Sequence, residues 1–196
     1  MVEHQLRGRG IDDARVLAAM GEVPRHRFVP RELWEAAYSD GALPIGEGQT
    51  ISQPWIVAFM AQLLGLEGGE TVLEVGTGSG YGAAVLSCLC REVVTVERNG
   101  PLVTGARVVL KQLGYTTVDT RLGDGTRGVP ERAPFDGIVV TASANDRAPP
   151  ALVEQLAPGA PLVIPIRRGG REQLVRIRDG HEEIFVPVRF VPLVGS

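Results

Sequence analysis

The spacing of apolar positions changes near Glu70 and divides the chain into two textures. Before that point, Asp12 precedes Ala14, Val16, Leu17 and Met20, a capping residue followed by apolar residues at helical spacing, which predicts a short amphipathic helix. Pro24 and Pro30 interrupt the pattern; residues 32–38 then predict a second short helix and 40–48 a loop. Ser52 or Gln53 caps a further helix with Pro54 at its first position, Ile56, Val57, Met60, Leu63 and Leu64 on its buried face, and Gly65 as its stop.

After Glu70, short apolar runs alternate with helical patterns, as βαβ units do when a parallel sheet is covered on both faces. Strands are predicted at 71–75, 93–97, 117–122, 137–141 and 161–166, with helices at 81–89, 101–113 and 150–156. Segments 172–178 and 183–191 predict an antiparallel hairpin turned at Asp179 and Gly180. The fold class that follows is α/β: a doubly wound, mostly parallel sheet with helices on both faces, antiparallel C-terminal strands and an N-terminal helical segment.

Composition narrows this without changing it. A chain of 196 residues, 44% apolar and 22% charged, is sized for one substantial core, so residues 1–196 are expected to form a single domain. Within it, 1–66 form the N-terminal segment and 67–196 the core of the fold. A net charge of −3 gives no field to attract a phosphate backbone, so nucleic acid is not an expected partner. The apolar run from Trp55 to Leu64 is too short for a bilayer core of about 30 Å, and no apolar stretch follows the basic residues of the N-terminus as in a secretory signal. No membrane association and a cytoplasmic, monomeric protein are expected. Cys88 and Cys90 stand two apart in a predicted helix, cannot bridge, and are expected to be small buried hydrophobes. His4, His26 and His181 are scattered, so no metal site is expected.

The sharpest local signal is the strand end Leu73, Glu74, Val75 running into Gly76, Thr77, Gly78, Ser79, Gly80. Glycine permits a tight turn and lets a ligand approach without meeting a Cβ. A dinucleotide fingerprint places its third glycine where this chain has Tyr81, which favours a nucleoside without a pyrophosphate. Glu97 ends the second strand, where doubly wound sheets present a carboxylate to a ribose diol. Gly123, Asp124 and Gly125 follow the third strand, placing Asp124 to accept from an adenine amino group. Each piece alone is an ordinary turn or strand end; in this order, at the ends of neighbouring strands, they define a nucleoside site.

The ordering resembles the class I methyltransferases, and a narrower likeness covers nearly the whole chain. The block Leu43, Pro44, Ile45, Gly46, Glu47, Gly48, Gln49, Thr50, Ile51, Ser52, Gln53, Pro54 is similar to the signature of protein-L-isoaspartate O-methyltransferases. So are Val23, Pro24, Arg25 with Phe28, Val29, Pro30; residues 72–81; the Gly-Asp-Gly at 123–125; 133–142; and 188–193. The resemblance implies a Rossmann-like methyltransferase sheet with a substrate-side N-terminal segment and an S-adenosyl-L-methionine-binding core. It implies methyl transfer to the α-carboxyl of L-isoaspartyl residues in damaged proteins or peptides, which starts their repair. By the same resemblance the cofactor residues are Glu74, Gly76, Thr77, Gly78, Ser79, Gly80, Glu97, Arg98, Asp124, Gly125 and Thr141. The substrate residues are Thr50, Ile51, Ser52, Gln53, Ala142, Val191 and Leu193, with Ser52 set against the acceptor carboxylate. A carboxyl group with a reference pKa of about 3.9 is already ionised at neutral pH, so positioning matters more than a general base.

Taken without the surrounding block, Ser52 reads first as a helix cap. The chain also departs from the family pattern: Glu47 stands where histidine is frequent, Gly100 and Gly105 weaken the helix after Glu97, and 143–150 is less regular. Three rivals follow: a carboxyl methyltransferase for aspartate in one dedicated peptide, a nicotinamide-dependent oxidoreductase, disfavoured by Tyr81, and a module that binds the cofactor without turnover. A serine hydrolase is disfavoured because the nucleophile elbow around Ser79 needs glycines at 77 and 81.

Overall fold

A computed structural model describes residues 1–195. Turns at Val2–Leu6 and Arg7–Arg9 lead into α1 (Ala14–Glu22), whose cap is Asp13 rather than Asp12: its carboxylate accepts from the amides of Arg15 and Val16. The helix expected at 32–38 does not form. Backbone amides there reach back three residues, as from Ala36 to Leu33 and from Ala37 to Trp34, giving a single 3-10 turn at Arg31–Leu33 and then a run of tight turns.

The expected loop at 40–48 contains a strand. β1 (Leu43–Gly46) pairs with β2 (Gln49–Ile51) in a hairpin whose tip, Gly46, Glu47 and Gly48, is positive in φ throughout. The helix α2 (Pro54–Leu64) follows as expected, with proline in its first turn and Gly65 in the left-handed conformation at its end.

The rest is a βαβ series: β3 (Thr71–Val75), α3 (Tyr81–Ser87), β4 (Glu92–Glu97), α4 (Gly100–Gln112), β5 (Val118–Leu122), β6 (Gly137–Val140), β7 (Ala144–Asn145), α5 (Pro150–Val153), β8 (Leu162–Arg168), β9 (Arg171–Arg178) and β10 (His181–Pro187). The main sheet runs β10-β9-β8-β6-β3-β4-β5, with β7 beside the end of β8. β8, β6, β3, β4 and β5 are parallel, and β9 and β10 return antiparallel through Asp179 and Gly180, both at positive φ.

Alternation along the central strands sends neighbours to opposite faces. Val72, Val93 and Val139 join α1 to α4 in one apolar cluster, while Leu73, Val94 and Ile138 join Leu152 of α5 and Phe135 in the other. Leu6 and Ile11 of the first turns are buried in the same cluster as α2 and the sheet face. Cys88 and Cys90 are unbridged; Cys90 is buried, but Cys88 is exposed, against expectation, because it lies at the C-cap of α3, which ends sooner than predicted.

Candidate active site

Strand order reverses at β3: the chain moves outward through β4 and β5, then returns to lay β6 on the other flank. Such a switch point leaves a crevice beyond the carboxyl ends of the strands. Here the crevice is a cavity of about 660 Å3, in the range of small-molecule sites.

Its floor is the turn after β3. Gly76, Gly78 and Gly80 all have positive φ. A Cβ on Gly76 would overlap Thr141 Oγ1, which donates to the Gly76 carbonyl at 2.8 Å, so β3 and β6 approach here only because the residue is glycine. Gly80 serves packing instead: a Cβ there would crowd Leu110 and Ala106 of α4. It is absent from the cavity wall, unlike Gly76, Thr77, Gly78 and Ser79.

Two carboxyl groups frame the turn. Glu97 accepts from the Gly78 amide at 3.1 Å and the Asn99 amide at 3.0 Å, joining the end of β4 to the turn. Glu74 is 1% exposed, lines the cavity, and accepts from Thr95 Oγ1 at 2.6 Å; Thr95 in turn lies 2.6 Å from Thr77 Oγ1. Burial pushes the Glu74 carboxyl up to about 8, opposed by the Thr95 hydrogen bond and aided by the charge of Glu97. Gly82 in α3 makes room for it, since a Cβ there would overlap Glu74 Oε1.

The roof comes from both ends of the chain. Gly48, Gln49, Thr50, Ile51 and Ser52 line the cavity from the hairpin side, and the hairpin tip is clasped by Asn99 Nδ2 donating to Glu47 at 3.2 Å. Val191, Pro192, Leu193 and Val194 line it as an extended strap. The strap is held where the Phe190 amide donates to Glu172 Oε1 at 2.6 Å, where Ser143 exchanges backbone hydrogen bonds with Val191 and Leu193, and where Arg98 donates to the Val194 carbonyl at 3.3 Å. Thr141 and Ala142 lie in the wall, with Arg98 and Gly125.

The cavity thus gathers Thr50, Ile51, Ser52, Glu74, Gly76, Thr77, Gly78, Ser79, Glu97, Arg98, Gly125, Thr141, Ala142, Val191 and Leu193 of the residues singled out from the sequence. Gly80, Gln53 and Asp124 are outside its wall. The Gln53 side chain donates to Asp40 at 2.7 Å. Asp124 lines a separate, open cavity and accepts from the Thr126 amide and hydroxyl.

Ser52 has two readings in the sequence, and the structure bears on the capping one. The N-cap of α2 is Gln53 and no side chain caps the helix, so the Ser52 hydroxyl has no capping role. Sequence reasoning gave no role to Glu172, which carries no local signal, or to Arg25. The latter is fully buried, donates to the Ser52 carbonyl at 2.8 Å and lies 4.8 Å from the centre of the Tyr81 ring.

A glycine turn at the switch point of a doubly wound sheet, flanked by carboxyl groups, defines the class: a Rossmann-like S-adenosylmethionine-dependent methyltransferase fold. The chain belongs to the protein-L-isoaspartate(D-aspartate) O-methyltransferase family, whose model matches residues 1–196. Among its relatives, a protein-L-isoaspartate O-methyltransferase of Opitutus terrae is 53% identical, the match covering 98% of this chain and 84% of that protein. One of Geotalea uraniireducens is 52% identical over 100% of this chain and 92% of its own. A solved protein-L-isoaspartate O-methyltransferase superposes with a TM-score of 0.88 at 30% identity over all of this chain, which spans 66% of that one. A Plasmodium falciparum chain bearing the same enzyme name, crystallised with S-adenosyl-L-homocysteine, gives 0.85 at 27% identity and is 97% covered.

Proposed function

We propose that this protein methylates the α-carboxyl of L-isoaspartyl residues in damaged proteins or peptides, with S-adenosyl-L-methionine as donor. Its cavity fits such a donor by its own chemistry. Gly76 and Gly78 leave a cradle free of side chains, Val75 and Val96 supply apolar wall, and Glu74 and Glu97 offer acceptors suited to an ammonium, a sulfonium and a ribose diol. Held by Glu74, Glu97 and the glycine turn, S-adenosyl-L-methionine would supply an electrophilic methyl group to a carboxylate oxygen, with S-adenosylhomocysteine as the leaving group and the methyl ester as product. The adjoining backbone amide nitrogen then attacks the ester carbonyl and expels methanol to give a succinimide, whose hydrolysis regenerates part of the normal aspartate.

The chain's residues bind, orient and exclude water. Glu74 and the turn hold the donor end, Glu97 the ribose, and Arg98 ties the end of the strap over them. Thr50, Ile51, Ala142, Val191 and Leu193 form the peptide side, and Ser52 donates to the acceptor carboxylate. Holding both reactants in line is worth several kcal/mol, about 7 in favourable cases. The observation that carries this reading is Ser52 itself, relieved of capping and among the residues lining the cavity that contains the glycine turn. For Gln53, Gly80 and Asp124 a supporting role fits better: Gln53 fixes the hairpin's neighbour Asp40, Gly80 seats α3 on α4, and Asp124 shapes the turn before Thr126.

The proposal extends to a single-domain, monomeric, cytoplasmic enzyme without a nucleic-acid partner. A net charge of −3 speaks against a nucleic-acid partner, and no helix among the described residues is long and apolar enough to cross a membrane. The test is transfer of a labelled methyl group to an isoaspartyl peptide beside its aspartyl isomer. Selective labelling of the isoaspartyl form is expected; labelling of the aspartyl form alone would replace this reading by that of a dedicated aspartate methyltransferase, and labelling of neither would leave a binding module. In Ser52→Ala, loss of one hydrogen bond to a charged group, worth about 1.5–3 kcal/mol, is expected to lower kcat/KM about ten- to a hundred-fold.

A further inference from the structure

Arg25 is a fully buried guanidinium with, among the described residues, no carboxylate within ion-pairing distance. Its Nε donates to the Ala37 carbonyl at 2.7 Å, one Nη donates to the Ser52 carbonyl at 2.8 Å and to the Gly41 carbonyl at 3.5 Å, and the other Nη is buried without a partner among the described residues. The cation lies over the Tyr81 ring, at the start of α3 just beyond the glycine turn. Burying a charge this way is expensive, and an arginine serving stability alone is ordinarily paired with an acid or replaced by an apolar residue. What this arginine gains is geometry. Ser52 lies between β2 and α2, in neither element; the residue after next is a proline without an amide proton; and the Arg25 contact is the hydrogen bond that fixes the Ser52 backbone. A fixed carbonyl fixes the peptide plane and the Ser52 Cα within it, which narrows the directions open to the Ser52 Cβ.

We infer that Arg25 is the positioning residue for Ser52: by holding the Ser52 carbonyl while resting on Tyr81, it sets the acceptor side of the cleft at a fixed distance from the cofactor turn. This rests on the functional reading above, in which Ser52 orients the acceptor carboxylate. Arg25 touches neither reactant and acts only through Ser52. Lysine retains the charge but lacks the planar fork that reaches two carbonyls at once.

The experiment is a double-mutant cycle on the full chain with an isoaspartyl peptide. Arg25→Lys is expected to lower kcat about ten-fold while the Kd for S-adenosylhomocysteine changes less than two-fold. In a Ser52→Ala background the same substitution is expected to cost less than two-fold. Equal losses in both backgrounds overturn the inference, since a structural role has no reason to vanish with the serine. A parallel loss of S-adenosylhomocysteine affinity also overturns it and assigns Arg25 to the cofactor turn through Tyr81. Arg25→Gln, which keeps donors without the charge, is measured beside it; loss of cooperative unfolding in both variants makes Arg25 a stability residue and ends the proposal. Wild-type turnover is measured first: its absence sinks the functional reading itself, whereas an additive cycle in an active enzyme sinks the inference alone.

Discussion

Replacing Glu74 by glutamine keeps the shape beneath the glycine turn and removes a proton that the folded protein holds unusually tightly. The carboxyl titrates at about 8 in the native state against 4.5 for the free side chain, chiefly because it is buried. Between those values the unfolded chain has lost this proton and the native chain keeps it, so ν_U is smaller than ν_N and stability falls as pH rises. The slope from this group is at most about 1.4 kcal/mol per pH unit, and it vanishes below the unfolded value and above the folded one. Other acids act in the opposite sense: Glu70 and Glu182 are held below their ordinary range, the latter by Arg168. Because these are common to both proteins, the difference between wild type and Glu74→Gln isolates Glu74. Urea unfolding at pH 5, 6, 7 and 8 is expected to show the variant gaining on wild type at each step. Calorimetry at pH 7 in buffers of different ionisation enthalpy adds a second reading: a cationic ligand beside Glu74 lowers its pKa, so S-adenosylmethionine binding is expected to release close to one proton from wild type and none from the variant. Parallel stability curves together with proton-free binding would refute the buried, protonated carboxyl.

Three further substitutions probe the rest of the site. Gly76→Ala forces a side chain into a positive-φ position against Thr141, a strain of roughly 1–3 kcal/mol, and is expected to lower Tm and abolish S-adenosylhomocysteine binding; retained affinity would show that the turn relaxes. Glu172→Ala frees the Phe190 amide, so the peptide KM should rise about three- to ten-fold with cofactor affinity unchanged, and Glu172→Gln, which keeps an acceptor, should recover most of it. Glu47→Ala opens the exposed clasp to Asn99, a contact worth about 1 kcal/mol or less, and stopped-flow should show S-adenosylhomocysteine leaving up to about five-fold faster; an unchanged rate would make the hairpin tip irrelevant to release.

The parallel core was legible because its signals are local. β3 and α2 lie where apolar runs and proline or glycine punctuation place them, and the glycine turn follows from three residue types in order. Failures came where tertiary partners outweigh local pattern. Pro44 and two glycines make residues 40–48 look like a loop, yet those glycines supply the positive φ of a tight hairpin. Residues 32–38 have helical spacing, but the Ala37 carbonyl accepts from Arg25 and the Tyr38 carbonyl from Gln5. Arg25 sits between proline and histidine, where an arginine ordinarily faces solvent; only its place in the family pattern hinted otherwise. The expected Asp124 contact could not be weighed from sequence, because the same Gly-Asp-Gly serves a ligand or, as its bonds to Thr126 show, the chain's own next turn.

The strap of residues 188–194 has a consequence for when the protein becomes active. During synthesis, a chain that has emerged as far as residue 180 already contains every parallel strand, the glycine turn and Ser52, yet lacks one wall of its groove. Closure of that wall therefore waits until residues 191–194 have left the ribosome, after the sheet that they close upon can have formed.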